Sequence, residues 1–153
     1  MMKKYAFKLE AVLKLRKLNE ENCRMELGAL MLHMQKIESQ IEYEKAQIDN
    51  YYKMQEDVLK AGAGGAQLQL IPNMISAKTK NIQLLNRDKR KQQQLIDEKR
   101  QELATVKGEL KVMENLKEKD FNEYKKAMNK EIDQKVEEQT QLWLMNKKQG
   151  LEK

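Results

Sequence analysis

The stretch from Leu9 to Val58 reads LEAVLKLRKLNEENCRMELGALMLHMQKIESQIEYEKAQIDNYYKMQEDV and decides the fold. Stepping through it by alternating intervals of four and three residues reaches fifteen positions, of which eleven are apolar. A hydrophobic repeat sustained over this many heptads is typical of a coiled-coil helix. The seam positions are 9, 13, 16, 20, 23, 27, 30, 34, 37, 41, 44, 48, 51, 55 and 58.

A second run with the same repeat follows after a short Gly-rich break. Its seam consists of Ile75, Lys78, Ile82, Leu85, Lys89, Gln92, Ile96, Lys99, Leu103, Val106, Leu110, Met113, Lys117, Asp120 and Tyr124. The two seams pair antiparallel when the numbers of facing residues add to 133, so that Leu103 meets Leu30. We therefore predict an all-α fold, a long two-helix antiparallel coiled-coil hairpin that is a monomer on its own.

This predicted register has consequences for the polar residues of the seam. Glu44 faces Lys89, and a charged pair inside a seam penalises slipped registers. Arg16 faces Lys117, a mismatch that the register leaves unexplained.

Glycine and proline divide the chain. Three glycines in four positions lower helix stability and tolerate the positive φ that a reversal needs. Pro72 fits the first turn of a new helix, where its missing N–H is no loss. The prediction is a single coiled-coil hairpin over residues 1–153, with helix 1 at about 7–60, a Gly-rich turn at 61–72 and helix 2 at about 73–148.

The second helix is predicted to overhang the first beyond about Met128. The overhang ends in Leu142-Trp143-Leu144-Met145, the most apolar cluster of the chain, which contains its only tryptophan. A lone helix gains nothing by exposing these side chains to water. Either Tyr5 and Phe7 fold over part of the overhang, or a partner protein covers it.

Composition excludes several classes of function. Charged residues make up 35% of the chain, and 24 acidic residues are interspersed among 30 basic ones. That mixture indicates a solvated helix surface, and acids facing the basic residues 78–100 across the seam disfavour nucleic-acid binding. A two-helix seam offers no pocket in which to shift the pKa of a carboxylate, so we do not expect an enzyme.

The single histidine and the single cysteine of the chain bear on metal binding, cofactor binding and cellular compartment. His33 is the only histidine and has no cysteine nearby, so we expect neither a metal nor a cofactor. Cys23 is the only cysteine and cannot form an intrachain disulfide. Together with the absence of a signal-peptide core after Lys4 and of any membrane-spanning run, this favours a reducing cytoplasm.

The N-terminal motif resembles that of a known family. The string Tyr5-x-Phe7-x-Leu9-Glu10-x-Val12-Leu13-x-Leu15-Arg16, followed by Glu20-Glu21, is similar to the opening of the flagellar export protein family called FliJ. Residues 113–119 look like that family's Lys-x-x-Glu-Lys-Leu stretch. Glu131-Ile132-Asp133 stands where the family often has an Asp-Glu pair, and Gln134 departs from that pattern.

The resemblance implies a cytoplasmic, non-enzymatic component of the flagellar type III export apparatus, peripheral at the cytoplasmic face of the inner membrane. Members of the family are similar in shape to the gamma stalk of rotary ATPases. The implied partners are the hexameric flagellar export ATPase, which receives the terminal end of the hairpin, the cytoplasmic domain of the membrane-embedded export gate, and export chaperones.

We expect the terminal end and the turn end of the hairpin to serve different partners. The residues expected at the ATPase are Phe7, Leu9, Leu13, Arg16, Tyr124, Met128, Ile132, Leu142, Trp143, Leu144 and Met145. Those expected at the export gate are Ile48, Tyr51, Tyr52, Ile82 and Leu85. Two alternatives stay open: a generic coiled-coil spacer or tether, and the stalk of a related virulence secretion system or V-type rotary ATPase.

Overall fold

The computed structural model of this chain describes residues 4–62 and 65–151, except for the side chains of Gln67 and Leu151. Helix α1 runs from Glu10–Lys60 and helix α2 from Gly65–Leu151, and these described parts contain no strand. The two helices pack against each other as a helical hairpin. The prediction of an all-α hairpin is confirmed.

The chain divides into two compact units, each of which pairs a part of α1 with a part of α2. The first unit consists of residues 1–20 and 106–153, and the second of residues 21–105. The predicted single domain stays a prediction.

The predicted seam is the buried face of each helix. Of the fifteen seam positions in α1 and its approach, only Leu9 is exposed, and of the fifteen in α2 only Lys89 is exposed. The apolar core consists of Leu13, Cys23, Met34, Ile37, Ile41, Ile71, Ile96, Leu103 and Met113. Heptad spacing predicts this face because every a and d side chain of a coiled-coil helix points at the partner helix.

The predicted register is wrong by about one heptad. In the second unit the Gln92 side chain donates a hydrogen bond to the carbonyl of Leu30 at 2.8 Å, so Leu30 does not face Leu103. Glu44 pairs with Lys78 rather than with Lys89. Across the seam of this unit, the numbers of contacting residues add to between 122 and 127, which is 6 to 11 below the predicted 133. A slip of seven residues returns apolar positions to apolar positions, so the repeat alone does not distinguish the registers.

The first unit shows the same slip, and it removes the mismatch at Arg16. The Arg16 guanidinium lies 2.6 Å from a carboxylate oxygen of Glu109, and the Lys117 ammonium lies 3.0 Å from Glu10. The numbers of these pairs add to 125 and 127. In the predicted register Arg16 and Lys117 would face each other, two like charges at the seam.

The register error comes from the turn, which is shorter than predicted. Gly62 has a φ of 70°, the left-handed conformation that glycine adopts without strain. Helix α2 begins at Gly65, eight residues before the predicted start, and Pro72 lies inside it rather than in its first turn. Leu68 is half-buried and Ile71 is buried, so these two residues continue the seam toward the turn. The burial of Leu68 and Ile71 offsets the unfavourable free energy of placing Gly65 and Pro72 in a helix.

None of the helices in the described parts of the chain contains a stretch long and apolar enough to span a membrane.

Candidate functional site

An aromatic cluster fastens the N-terminal segment to α2 in the first unit. The Tyr5 ring lies 4.9 Å from Phe121 edge-on and 5.3 Å from Tyr124, both measured between ring centroids. The Tyr5 hydroxyl donates toward the Asp120 carboxylate at 3.2 Å and lies 3.3 Å from the carbonyl of Lys117. Burial and the neighbouring Asp120 carboxylate raise the pKa of the Tyr5 phenol.

The sequence prediction identified only part of this cluster. Tyr124 was predicted as a partner-binding residue, and it is half-buried against Tyr5. Phe121 was missed, although it precedes Tyr124 by three residues and therefore lies on the same helix face. Tyr5 and Phe7 precede the helix and carry no periodic signal, so the repeat could not show where they pack.

The four predicted N-terminal contact residues differ widely in the surface they offer. Leu9 is 43% exposed, whereas Leu13 is only 1% exposed and belongs to the core rather than to the surface. Phe7 is half-buried. Arg16 is held at the edge of the seam by its ion pair with Glu109.

Beyond Tyr124, α2 continues without a covering helix. Every side chain from 125 to 150 is exposed, with the exception of the half-buried Glu131. Met128 and Ile132, both predicted, are 38% and 47% exposed, and Val136, which lies four residues further on the same face, is 56% exposed. We call residues 125–150 the extension.

The apolar cluster Leu142–Met145 is the most exposed apolar part of the extension. Each of its four side chains is 50–60% exposed, and the Lys147 ammonium lies 5.0 Å from the centroid of the Trp143 ring. Consecutive helix residues point about 100° apart, so four in a row surround the helix rather than line one face. The cluster therefore presents apolar surface on several sides at once.

The predicted gate-binding residues lie in the second unit and mostly inside its seam. Ile48, Tyr51, Ile82 and Leu85 are half-buried, which leaves each of them a partly accessible edge. Tyr52 is 55% exposed and is the only one of the five that points fully outward.

A charged layer lies within the seam of the second unit. Glu44 is 5% exposed, and one of its carboxylate oxygens lies 3.1 Å from the Lys78 ammonium while the other accepts a hydrogen bond from Gln40 at 3.1 Å. Lys78 also lies 5.9 Å from the centroid of the Tyr43 ring. The Glu44 carboxylate raises the pKa of Lys78 above its ordinary value, so Lys78 stays protonated at neutral pH.

The described residues contain no cluster of three or more His, Cys, Asp or Glu side chains that could hold a metal ion. Cys23 is buried in the seam and forms no disulfide. His33 lines a shallow, open groove between the two helices of the second unit.

Comparison with known proteins adds one finding. The model of the family described as "Flagellar FliJ protein" matches residues 5–148, a range that includes both predicted partner-binding surfaces. No curated protein and no solved structure gives a significant match.

Proposed function

Because this chain belongs to the flagellar FliJ family, and is therefore a component of the flagellar protein-export apparatus, we propose that it is a non-enzymatic stalk. In this role it binds the hexameric export ATPase through its terminal residues and links the ATPase to the export gate. The observation that carries the proposal is the extension of α2, which ends in exposed apolar side chains on all sides of one helix.

The geometry of Leu142–Met145 suits a site inside a ring. A flat partner surface would contact one face of the helix and leave the remaining apolar side chains in water. A ring of ATPase subunits instead surrounds the helix, so that each of the four side chains meets a subunit. Burying them removes apolar surface from water at a gain of roughly 25 cal/mol per Å².

One asymmetric helix inside a six-fold ring contacts the subunits unequally. Tighter binding to some subunits favours the conformation that those subunits adopt. The population of ring conformations therefore shifts toward it. The stalk thereby promotes ATPase assembly and turnover without catalytic groups of its own. Leu9, Phe7 and Tyr124 widen the contact at the base of the extension.

The second unit supplies the contact with the export gate in this proposal. Tyr52 offers a free aromatic ring, and Tyr51 an accessible edge beside it. Exposed tyrosines are frequent anchors of protein interfaces. The protein then acts in the cytoplasm, peripheral at the inner membrane of the flagellar base, where it also handles export chaperones.

The ATPase contact is tested with Leu142→Ala combined with Trp143→Ala. We expect co-purification with the export ATPase and stimulation of its turnover to fall at least about tenfold, as is usual for central apolar anchors. Val112→Ala combined with Leu116→Ala is the matched control, because both residues are exposed on α2 in the same unit but lie outside the extension. Unchanged binding and stimulation with the first pair would overturn the assignment.

The gate contact is tested separately with Tyr51→Ala combined with Tyr52→Ala. We expect lost binding to the cytoplasmic domain of the export gate and intact stimulation of the ATPase. Tyr43→Ala is the control, since Tyr43 is equally exposed and belongs to the same unit. Gate binding that survives the double substitution removes this part of the proposal.

A further inference from the structure

Four basic residues form a ridge on the outer side of α2 in the second unit. We define the basic ridge as Lys80, Arg87, Arg90 and Lys91, all of which are exposed. None of the four forms an ion pair with a described residue.

This finding changes the expectation that acids across the seam neutralise the basic residues of α2. Within residues 78–100, three lysines do pair with acids of α1: Lys78 lies 3.1 Å from Glu44, Lys89 lies 3.9 Å from Glu38, and Lys99 lies 2.6 Å from Glu26. Lys80, Arg87 and Arg90 lie at helix positions that point away from α1, and Lys91 lies at the edge of the groove beside α1. No acid of α1 forms an ion pair with any of the four. Their positive charge is therefore available to another molecule.

The ridge is combined with exposed leucines. Lys80, Leu84, Arg87 and Lys91 are spaced by four, three and four residues, so they follow one line along the helix for roughly 16 Å. Leu84 is 55% exposed, and Leu95, eleven residues further on the same side, is 47% exposed. This side of the helix therefore offers two apolar contacts three turns apart, with basic groups between and beside them.

We propose that the basic ridge, with Leu84 and Leu95, is the docking site for an acidic amphipathic helix of a partner protein. Side chains spaced by four, three and four residues match one face of another α-helix, which presents its own side chains at the same intervals. Leucines of the incoming helix meet Leu84 and Leu95, and its glutamates meet the guanidinium and ammonium groups of the ridge. The site uses neither the extension nor the tyrosines of the proposed gate contact.

The pattern favours a protein helix over the other polyanions. A phosphate backbone gains nothing from two exposed leucines. A bilayer is held by a broad apolar helix face, and two leucines on one line provide little of it. An amphipathic helix uses the leucines and the basic groups together.

The proposal is tested with the full-length chain and three probes. The first is a fluorescent peptide of about 20 residues with leucines along one helix face and glutamates beside them, a length sufficient for a short helix. The second is an oligothymidine of about 30 nucleotides, several times the site size of a small binding domain. The third is a vesicle with about one third phosphatidylserine, which carries the negative surface potential that basic residues recognise.

We expect the acidic peptide to bind more tightly than the other two probes. Lys80→Glu, Arg87→Glu and Lys91→Glu together should weaken it at least about tenfold, with a shallower salt dependence because the attraction of exposed charges is screened. Leu84→Gln with Leu95→Gln should also weaken peptide binding, but the salt dependence of that binding should not change. Stimulation of the export ATPase should not change in either variant, so this result is independent of the proposed stalk function.

The matched control is Lys107→Glu with Lys111→Glu and Lys119→Glu, which changes the net charge equally at exposed positions of α2 outside the ridge. We expect this control to bind the peptide as the unmodified chain does, with circular dichroism confirming that every variant folds. Three results would overturn the proposal: equal loss in the control, tighter binding of the oligothymidine or the vesicle, or leucine substitutions without effect.

Discussion

Single charged side chains favour the register that the short turn produces. Arg16 and Lys117 each find a carboxylate, Glu109 and Glu10, only in the observed pairing. A slip of one heptad preserves the apolar contacts of the seam but brings Arg16 toward Lys117. The cost of the wrong register is therefore electrostatic, and it arises in the first unit.

The Arg16 pair can be tested by exchanging its charges. Arg16→Glu places two carboxylates together, and we expect it to lower the free energy of unfolding by about 0.5–1 kcal/mol, a value reduced by the solvent exposure of both partners. Adding Glu109→Arg should restore most of that loss. The measurement is urea unfolding followed by circular dichroism, and two losses that simply add would show that the residues do not interact.

The ion pair between Glu10 and Lys117 predicts an acid-dependent stability. The hydrogen bond from Lys117, with the nearby Lys14 and Lys17, lowers the pKa of the Glu10 carboxyl below its ordinary value of 4.5. A lowered pKa in the folded state means that the ionised carboxylate stabilises the fold above pH 4.5, and that this contribution disappears as the pH falls through the lowered pKa.

Lys117→Met should therefore be less stable than the unmodified chain at neutral pH and should approach it in strong acid. The check is the melting temperature of both proteins as a function of pH. A difference between them that does not change on acidification would contradict the assigned role of Glu10.

Among the elements, glycine stabilises the turn but destabilises the interior of a helix. Gly62 has a positive φ, so Gly62→Ala should lower the free energy of unfolding by about 1 kcal/mol. Gly28 lies inside α1, and an added Cβ would meet no atom within 4 Å. Gly28→Ala should therefore raise the free energy of unfolding by about 0.5–1 kcal/mol. Thermal or urea unfolding of both variants tests this, and changes of the same sign would refute it.

The helices show which features a repeat can predict. The buried face followed from the sequence because burial in a helix pair depends on local spacing, which Leu13, Ile41 and Leu103 all obey. The register did not follow, because it depends on the length of the turn. The residues between Gly65 and Pro72 read as a break from their composition, yet Ile71 is buried and extends the seam.

The candidate site was predictable to a similar degree. The exposure of Leu142–Met145 follows from their position beyond the last α1 seam residue that could face them. The sequence offered a contact between Tyr5 and the overhang as one alternative, but it did not identify Phe121, because Tyr5 lies in a non-helical segment without a repeat. The basic ridge could not be predicted without the correct register, because only the observed pairing shows which lysines form ion pairs with carboxylates.

At the scale of the whole molecule, the two units carry different exposed surfaces. The first unit holds the extension and the aromatic cluster, and the second holds Tyr51, Tyr52 and the basic ridge. This distribution suits a protein that binds several components of the export apparatus. The proposed stalk function requires that the end of α2 binds the export ATPase.

The fluorescence of Trp143, the only tryptophan of the chain, tests that claim most directly. The ring is 59% exposed, so its emission should be that of a solvated indole and acrylamide should quench it readily. Emission from the ATPase is subtracted by using Trp143→Phe in a parallel titration. On addition of the ATPase, we predict a shift of the Trp143 emission to shorter wavelength and protection from acrylamide. Unchanged emission and quenching at a concentration where the two proteins co-purify would contradict the account.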